Sequence, residues 1–308
     1  MLPTLRQLQY LKLLAEHGSF SRAAEAAHVT QPTLSAGVQE LEKILGAAMV
    51  DRNRSGVILT AAGTDAVARA GAILAQAEDL VRGARDSGQP LGGRFRLGVI
   101  PTIAPFLLPA ALPVLRERFP KLRLFLREDL THRLIADLKA GVLDAALIAL
   151  PYDTAGLDWI HVGDDELVAA FPAGHPLCAA ARVAPEGMDG EDLILLEDGH
   201  CLRDHVMAAC GLGARQHGRE TSFAASSLAT LAQMVGAGLG VSFLPAMAVE
   251  AGLARAARVT VRPLDADHAS RQIAVAWRAG STRAAEGRLL AEAFAAAQGS
   301  SLSPSACG

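Results

Sequence analysis

Along the first 46 residues the apolar positions recur at helical spacing and are punctuated three times. Leu5, Leu8, Leu11, Leu14 and Ala15 fall on one helical face, and Thr4 followed by Gln7 has the pattern of a capping box. Gly18 breaks that helix. Ser21 can cap a second, short helix carrying Ala23, Ala24, Ala26 and Ala27, and His28 with Val29 makes a turn. Thr30 can cap a third helix that tolerates Pro32 in its first turn. There Leu34, Val38, Leu41 and Leu45 form the apolar stripe, which Gly46 ends. These are the proportions of a helix-turn-helix. Over residues 60–85, Val67, Ala70, Leu74, Ala77, Val81 and Ala84 are spaced 3, 4, 3, 4 and 3, a heptad seam with small residues in alternate layers. An amphipathic helix packed on its own domain gives the same stripe. The Gly- and Pro-bearing SGQPLGG stretch directly after it favours a dimerising linker helix.

Beyond residue 91 strand-like and helix-like segments alternate. Residues 95–100, 122–126, 145–150, 167–171 and 193–196 read as strands, and 103–119 and 134–140 as helices. The run 145–150 is almost wholly apolar, as in a strand buried on both faces. The alternation predicts an α/β fold: a parallel sheet covered by helices on both faces. GAGLG in MVGAGLGVS lacks a complete dinucleotide fingerprint and reads as a helix-to-strand turn.

Composition narrows the class without naming a function. A chain of 308 residues, 51% hydrophobic and 4% aromatic, is long enough for two or three domains with a core of Leu, Val, Ile and Ala. Fibrous, disordered and disulfide-framework proteins are excluded. Arg6, Gln7, Gln9 and Lys12 interrupt the apolar start, and no stretch of 18 apolar residues occurs. Neither a signal peptide nor a membrane span is expected, and a cytoplasmic setting keeps thiols reduced. The 29 basic and 32 acidic residues give no global sign of nucleic acid, and residues 1–60 hold only six basic against five acidic.

Candidate chemistry lies at two places. Off the apolar stripe of the third helix, near its amino end, stand Gln31, Thr33, Ser35, Ala36 and Gln39. Their side chains can reach base edges in a major groove, and Arg52 and Arg54 follow in a turn-rich segment as a basic wing. A small packing domain with a surface Arg pair is the plainer reading, and the near-neutral local charge suits it. The second place is LEDGHCLRDHVMAAC, where Cys201 and Cys210 are nine positions apart. Asp198-Gly199 suggests a turn, which puts Cys201 at a helix amino terminus with His200, Arg203 and His205 nearby. The helix dipole and cationic neighbours both lower a thiol pKa. Nine helical residues span about 13.5 Å, whereas bridged cysteines need Cα atoms within about 7 Å. A disulfide would therefore require local unfolding. Packing of Cys210 as a small apolar residue, or a zinc site with His200 and His205, are the alternatives, though no compact ligand framework accompanies them. Cys178 reads as packing and Cys307 as a bystander in a flexible tail. Asp164, Asp165 and Glu166 read as a solvated face.

FSRAAEAAHVTQPTLSAGVQELEKILG followed by DRNRSGVILTAAG resembles the winged helix-turn-helix of LysR-type transcriptional regulators. The resemblance implies a DNA-binding domain at 1–58 and a dimerising linker helix and hinge at 59–90, seamed by Val67, Ala70, Leu74, Ala77 and Val81. It implies next a two-lobed α/β effector domain at 91–300, like type 2 periplasmic binding proteins, with a flexible tail at 301–308. Lobe I would hold 91–163 and 269–300, and lobe II 164–268. Gln31, Pro32, Thr33 and Ser35 match the start of the recognition helix, and Arg52 and Arg54 match the wing. Gln39 stands where relatives often carry a basic residue, which implies a weaker phosphate grip.

LEDGHCLRDHVMAAC is similar to the redox segment of the hydrogen-peroxide-sensing OxyR branch of that family. The likeness extends through LGVIPTIAPFLLP, FPKL, THRLIADLKAGVLDAALIAL and MVGAGLGVSFLPAMAV. It implies Cys201 as peroxidatic thiol and Cys210 as resolving thiol. Thr102, Thr131, His200, Ser226 or Ser227, Arg203 and Arg271 would surround the peroxide. The partners implied are double-stranded promoter DNA, hydrogen peroxide, further copies of the chain as a dimer of dimers, RNA polymerase and a thiol-reducing system. No cofactor, metal, membrane or enzymatic turnover is implied. Three alternatives remain: a LysR-type regulator holding a small organic inducer between its lobes, a thiol peroxidase, and a periplasmic solute-binding protein. The helix-turn-helix argues against the second and the missing signal peptide against the third.

Overall fold

A computed structural model describes residues 1–53, 56–85, 90–209, 224–266 and 269–301. Arg54, Cys210 and Cys307 lie outside them. The chain divides into two compact units, one formed mainly by Met1–Gly88 and the other mainly by residues from Gln89 onward.

The first unit holds α1 (Leu5–His17), α2 (Phe20–Ala26), α3 (Gln31–Leu45), β1 (Val50–Asn53), β2 (Gly56–Leu59) and α4 (Ala61–Arg85). Thr4 and Gln7 complete the capping box of α1: the Gln7 N–H donates to Thr4 Oγ1 at 3.3 Å and the Thr4 N–H to Gln7 Oε1 at 2.8 Å. Gly18 and Gly46 close α1 and α3 with φ of 61° and 70°, a left-handed conformation that costs glycine little. The short helix begins earlier than expected. Its cap position is Ser19, and Ser21 lies inside it, because Phe20 packs on the three-helix core and draws the chain into helix there. Leu34, Val38 and Leu41 are fully buried, whereas Leu45 ends the stripe in solvent. A Cβ on Gly37 would stand 2.6 Å from Tyr10 Cδ2, so the glycine lets α3 press directly on α1. The wing is the antiparallel pair β1–β2, with Arg52 opposite Val57. On α4, Ala70 is buried, and Val67 and Leu74 pack on the helix-turn-helix core of the same chain. Ala77 is half-buried, and Ile73, Leu80 and Val81 stay exposed, Leu80 at 74%.

In the second unit β3 (Arg94–Val99), α5 (Ala104–Arg118), β4 (Arg123–Glu128), α6 (Thr131–Lys139), β5 (Ala145–Leu150) and β6 (Leu157–Pro172) follow in order. Then come β7 (Leu195–Leu196), α7 (Cys201–Ala209), β8 (Ala224–Ala225), α8 (Leu228–Gly236), β9 (Ser242–Pro245), α9 (Ala246–Glu250) and α10 (Leu253–Ala256). β10 (Val259–Pro263), β11 (Ser270–Arg278) and α11 (Ala284–Ser301) complete the described residues. The expected parallel sheet is corrected to a mixed one. β3 lies parallel to β4 and β5, but β11 runs antiparallel to both β5 and β6, and β9 and β10 run antiparallel to β6. One long strand explains the difference. β6 pairs through its first part with β11 and through its second with β9 and β10, partners that arrive some 75 to 120 positions later. Local alternation of strand and helix carries no trace of such pairing. GAGLG does form the helix-to-strand turn: α8 ends at Gly236, Gly238 has φ of 80°, and β9 starts at Ser242. Cys178 packs half-buried on the core around β6 and α8, as its sequence context suggested.

Candidate functional site

Cys201 opens α7. The chain reaches it from β7 through Asp198 and Gly199, whose φ of 96° makes the turn. The sulfur is not at the surface, since the residue is 3% exposed. Thr131, at the start of α6, is 1% exposed; its hydroxyl lies close enough to the Cys201 sulfur to favour the thiolate, but has no hydrogen-bond partner in the resting geometry. Arg271, near the start of β11, is fully buried. It donates from Nε to Asp165 Oδ2 at 2.9 Å, from Nη1 to Thr102 Oγ1 at 2.7 Å, and from Nη2 to the Thr102 carbonyl at 2.9 Å. The sheet dictates this pairing, because Arg271 and Asp165 are directly opposed on β11 and β6. Asp165 Oδ1 in turn accepts the Met247 N–H at 2.9 Å. Thr102, Thr131, Cys201 and Arg271 thus converge from the turn after β3 and from α6, α7 and β11.

The electrostatics reverse one expectation. Burial pushes the Cys201 thiol above its ordinary value, while the neighbouring Thr131 hydroxyl and the Arg271 charge pull it down and Asp204 pushes it up. The helix terminus and local cations were expected to win; desolvation outweighs them. Arg203 supplies no help, because its guanidinium bonds the Leu196 carbonyl at 3.1 Å and pairs with Asp198 at 3.1 Å. His205 Nε2 donates to the Pro151 carbonyl at 2.9 Å, and its Nδ1 is buried without a partner. Burial pulls the His205 pKa down, and the nearby Arg271 charge adds to that. His200 is likewise lowered by burial, against the Glu197 charge and a hydrogen bond from its ring to the Ser226 backbone. Ser226 is exposed, and Ser227 caps α8, its Oγ accepting the Thr230 N–H at 3.2 Å. Burial and the Cys201 charge raise the Tyr152 phenol.

Asp165 was missed. Within the run Asp164-Asp165-Glu166 it looked solvated, yet it is 2% exposed and closes the ion pair with Arg271. The signal was its place in an apolar strand whose partner lies 106 positions away, which no local pattern reveals.

On α3 the amino end presents Gln31, Pro32, Thr33 and Gln39 to solvent, with Ser35 half-buried. Thr30 Oγ1 accepts the Thr33 N–H at 3.4 Å and lies 2.8 Å from the Thr33 hydroxyl, so the cap holds that end in place. Among the described residues no group of His, Cys, Asp and Glu is arranged to hold a metal ion, and no helix is long and apolar enough to cross a membrane.

Residues 5–64 match the family model for the bacterial regulatory helix-turn-helix protein, LysR family, and residues 88–299 match that for the LysR substrate binding domain. The chain belongs to the LysR family of transcriptional regulators. This LysR regulator is 42% identical over 248 residues to the HTH-type transcriptional regulator EstR of Acinetobacter baylyi, covering 80% of this chain and 81% of that protein. It is 39% identical over 277 residues to the hydrogen peroxide-inducible genes activator of Dickeya chrysanthemi, covering 90% of each. Among solved structures, a full-length OxyR variant from Pseudomonas aeruginosa aligns with a TM-score of 0.77 at 37% identity, covering 96% of this chain and 95% of that one. A helix-turn-helix followed by an α/β regulatory domain of periplasmic-binding type is the architecture this LysR regulator shares with the OxyR branch.

Proposed function

We propose that this LysR regulator senses hydrogen peroxide through Cys201 and that a Cys201–Cys210 disulfide switches transcription of antioxidant genes. One observation carries the reading: a buried cysteine at the head of α7, held between the Thr131 hydroxyl and the charge of Arg271. The thiolate attacks one peroxide oxygen, giving a sulfenic acid and releasing hydroxide. The Cys210 thiol then displaces water from the sulfenic acid and closes the disulfide. Thr102, Thr131, His200 and Arg271 orient and polarise the peroxide. α7 is an unbroken helix from Cys201 to Ala209, and its ends are separated by about 12 Å, so bond closure requires it to unwind. That refolding is the switch, and a thiol-reducing system of the cytoplasm resets it.

The readout is promoter DNA. Gln31, Pro32, Thr33, Ser35 and Gln39 enter the major groove, and Arg52 and Arg54 grip the backbone. Nearly balanced charge in residues 1–60 means that affinity rests on paired half-sites, supplied by dimerisation along α4 and assembly into a dimer of dimers. RNA polymerase is the partner of the activating form.

Mass spectrometry of peptides spanning residues 201–210, before and after near-stoichiometric peroxide, tests the reading. A 201–210 disulfide is expected, with loss of the promoter response in Cys201→Ser. Full peroxide-dependent activation in Cys210→Ser would show that the disulfide is not the switch. Burial of the thiol favours one other reading, a small organic inducer held between the lobes, and an unchanged cysteine pair would select it.

A further inference from the structure

The ion pair beside Cys201 is shared three ways. Arg271 directs Nε and Nη2 to Asp165 Oδ2, each at 2.9 Å, while Asp165 Oδ1 takes the Met247 N–H. Both side chains are shut off from solvent, at 0% and 1% exposure, so water screens neither charge. Thr102 fixes the plane of the guanidinium from a third side. α7, which starts at Cys201, packs against β11, which carries Arg271. A sulfur anion formed at Cys201 therefore competes with the Asp165 carboxylate for one cation. The other ionisable groups acting on the sulfur or on Arg271 are Asp204 and His205 of α7, and Tyr152 after β5, while Glu250 of α9 faces Asp165, and burial and the Asp165 charge both raise its carboxyl.

We infer that Asp165 is a positioning residue for the redox site: it holds the Arg271 guanidinium beside Cys201 and divides its charge with the sulfur, setting how readily Cys201 reacts. The inference rests on the reading of Cys201 as the reactive thiol. Asp165 thereby acts as a brake. It keeps Arg271 in place and also keeps much of its field from the thiolate, which disfavours the anion. The Met247 N–H moderates the brake by drawing on the other carboxylate oxygen.

The test uses the full-length chain with Cys178, Cys210 and Cys307 replaced by Ser, leaving Cys201 as its thiol, and follows alkylation by monobromobimane against pH. Asp165→Asn keeps a hydrogen-bonding side chain and removes the competing charge. Its apparent thiol pKa is expected to fall by about one unit, read as a roughly tenfold faster alkylation below the pKa. An unchanged or raised pKa overturns the inference, since a merely structural role would loosen Arg271 and leave the sulfur less reactive. Asp165→Glu, which restores the charge, should return the profile toward that of the parent. Removing one partner of a buried ion pair strains folding, so Met247→Pro is the second variant. Proline suits the first turn of a helix, and the change deletes the N–H that draws on Asp165, with Met247→Ala as the control for the lost side chain. Both charges stay, the carboxylate turns wholly to Arg271, and the Cys201 pKa should rise; a fall or no change overturns the inference. Sulfenate trapping on the parent chain with hydrogen peroxide runs in parallel. Its absence at every pH would sink the peroxide reading while the alkylation profiles still decide the role of Asp165.

Discussion

Replacing Thr131 by Val should make the protein more stable and less responsive. The Thr131 hydroxyl is buried without a hydrogen-bond partner and lies beside the Cys201 sulfur, whose thiolate it favours. Valine keeps the branched shape and deletes the oxygen. In the resting state the hydroxyl faces a thiol, a weak partner, and an inadequately bonded buried polar group costs about 1–3 kcal/mol. Its removal is therefore expected to stabilise the reduced protein by about 1 kcal/mol. Once the sulfur is charged, the same hydroxyl donates to an anion, a bond worth about 1.5–3 kcal/mol. At about 1.4 kcal/mol per tenfold, its loss should cut the thiolate population, and with it the peroxide reaction, by roughly 10- to 100-fold below the thiol pKa. Thermal denaturation of the reduced protein reads the first effect, and the pH profile of sulfenate trapping at Cys201 reads the second. A Thr131→Val protein that is less stable yet oxidises at the parent rate would refute the reasoning, because it would place the hydroxyl in the fold rather than at the sulfur.

Two further outcomes follow from packing and burial. His200 and His205 have folded pKa values pulled by burial below the ordinary value of about 6.5, so the unfolded chain binds more protons as pH falls; stability present above about pH 6.5 should be lost progressively below it. Thermal melts across that range check this: His205→Gln, which can still donate to Pro151, should flatten the profile, and a flat parent profile would contradict it. Gly37→Ala places a Cβ 2.6 Å from Tyr10 Cδ2 and 2.9 Å from Cε2, and overpacking of this kind costs about 1–3 kcal/mol. A lower melting temperature with weaker promoter binding in a gel-shift assay is expected; unchanged values for both would show that α1 and α3 separate freely.

What could be read from the sequence was local chemistry. Thr4 with Gln7, the Thr30 cap and the left-handed Gly18 and Gly46 act within one helical turn of the backbone groups they serve. The start of α7 was legible for the same reason, since Asp198-Gly199 turns the chain into it. The beginning of α2 was not, because Phe20 is helical by virtue of the core it packs on. The sheet divides along the same line. β3, β4 and β5 are joined by their own crossover helices and read as parallel, whereas β11 pairs with β6 across a separation that only the folded chain reveals. That pairing buries Asp165 and Arg271 together, which is why the carboxylate looked solvated. The heptad stripe on α4 was visible too, but periodicity cannot tell which apolar positions the chain uses itself. Val67, Ala70 and Leu74 serve the amino-terminal core, and the apolar surface left open shifts to Ile73, Leu80 and Val81.

The same distinction bears on how a thiol at a helix terminus comes to be held back rather than activated. Sequence context counts the cations and the dipole near Cys201, all of which favour the thiolate, but it cannot count desolvation. In the folded protein burial leads, Arg203 is turned away toward Leu196 and Asp198, and Arg271 is partly neutralised by Asp165. What remains on the side of the anion is the Thr131 hydroxyl, the residual field of Arg271 and a backbone hydrogen bond at Cys201 itself, all fixed in place before any reactant arrives. A fully activated thiol would be oxidised without discrimination, and a fully buried one without donors would not react. In the proposed peroxide switch, restraint of the sulfur is as necessary as its activation, and these opposed groups would supply both.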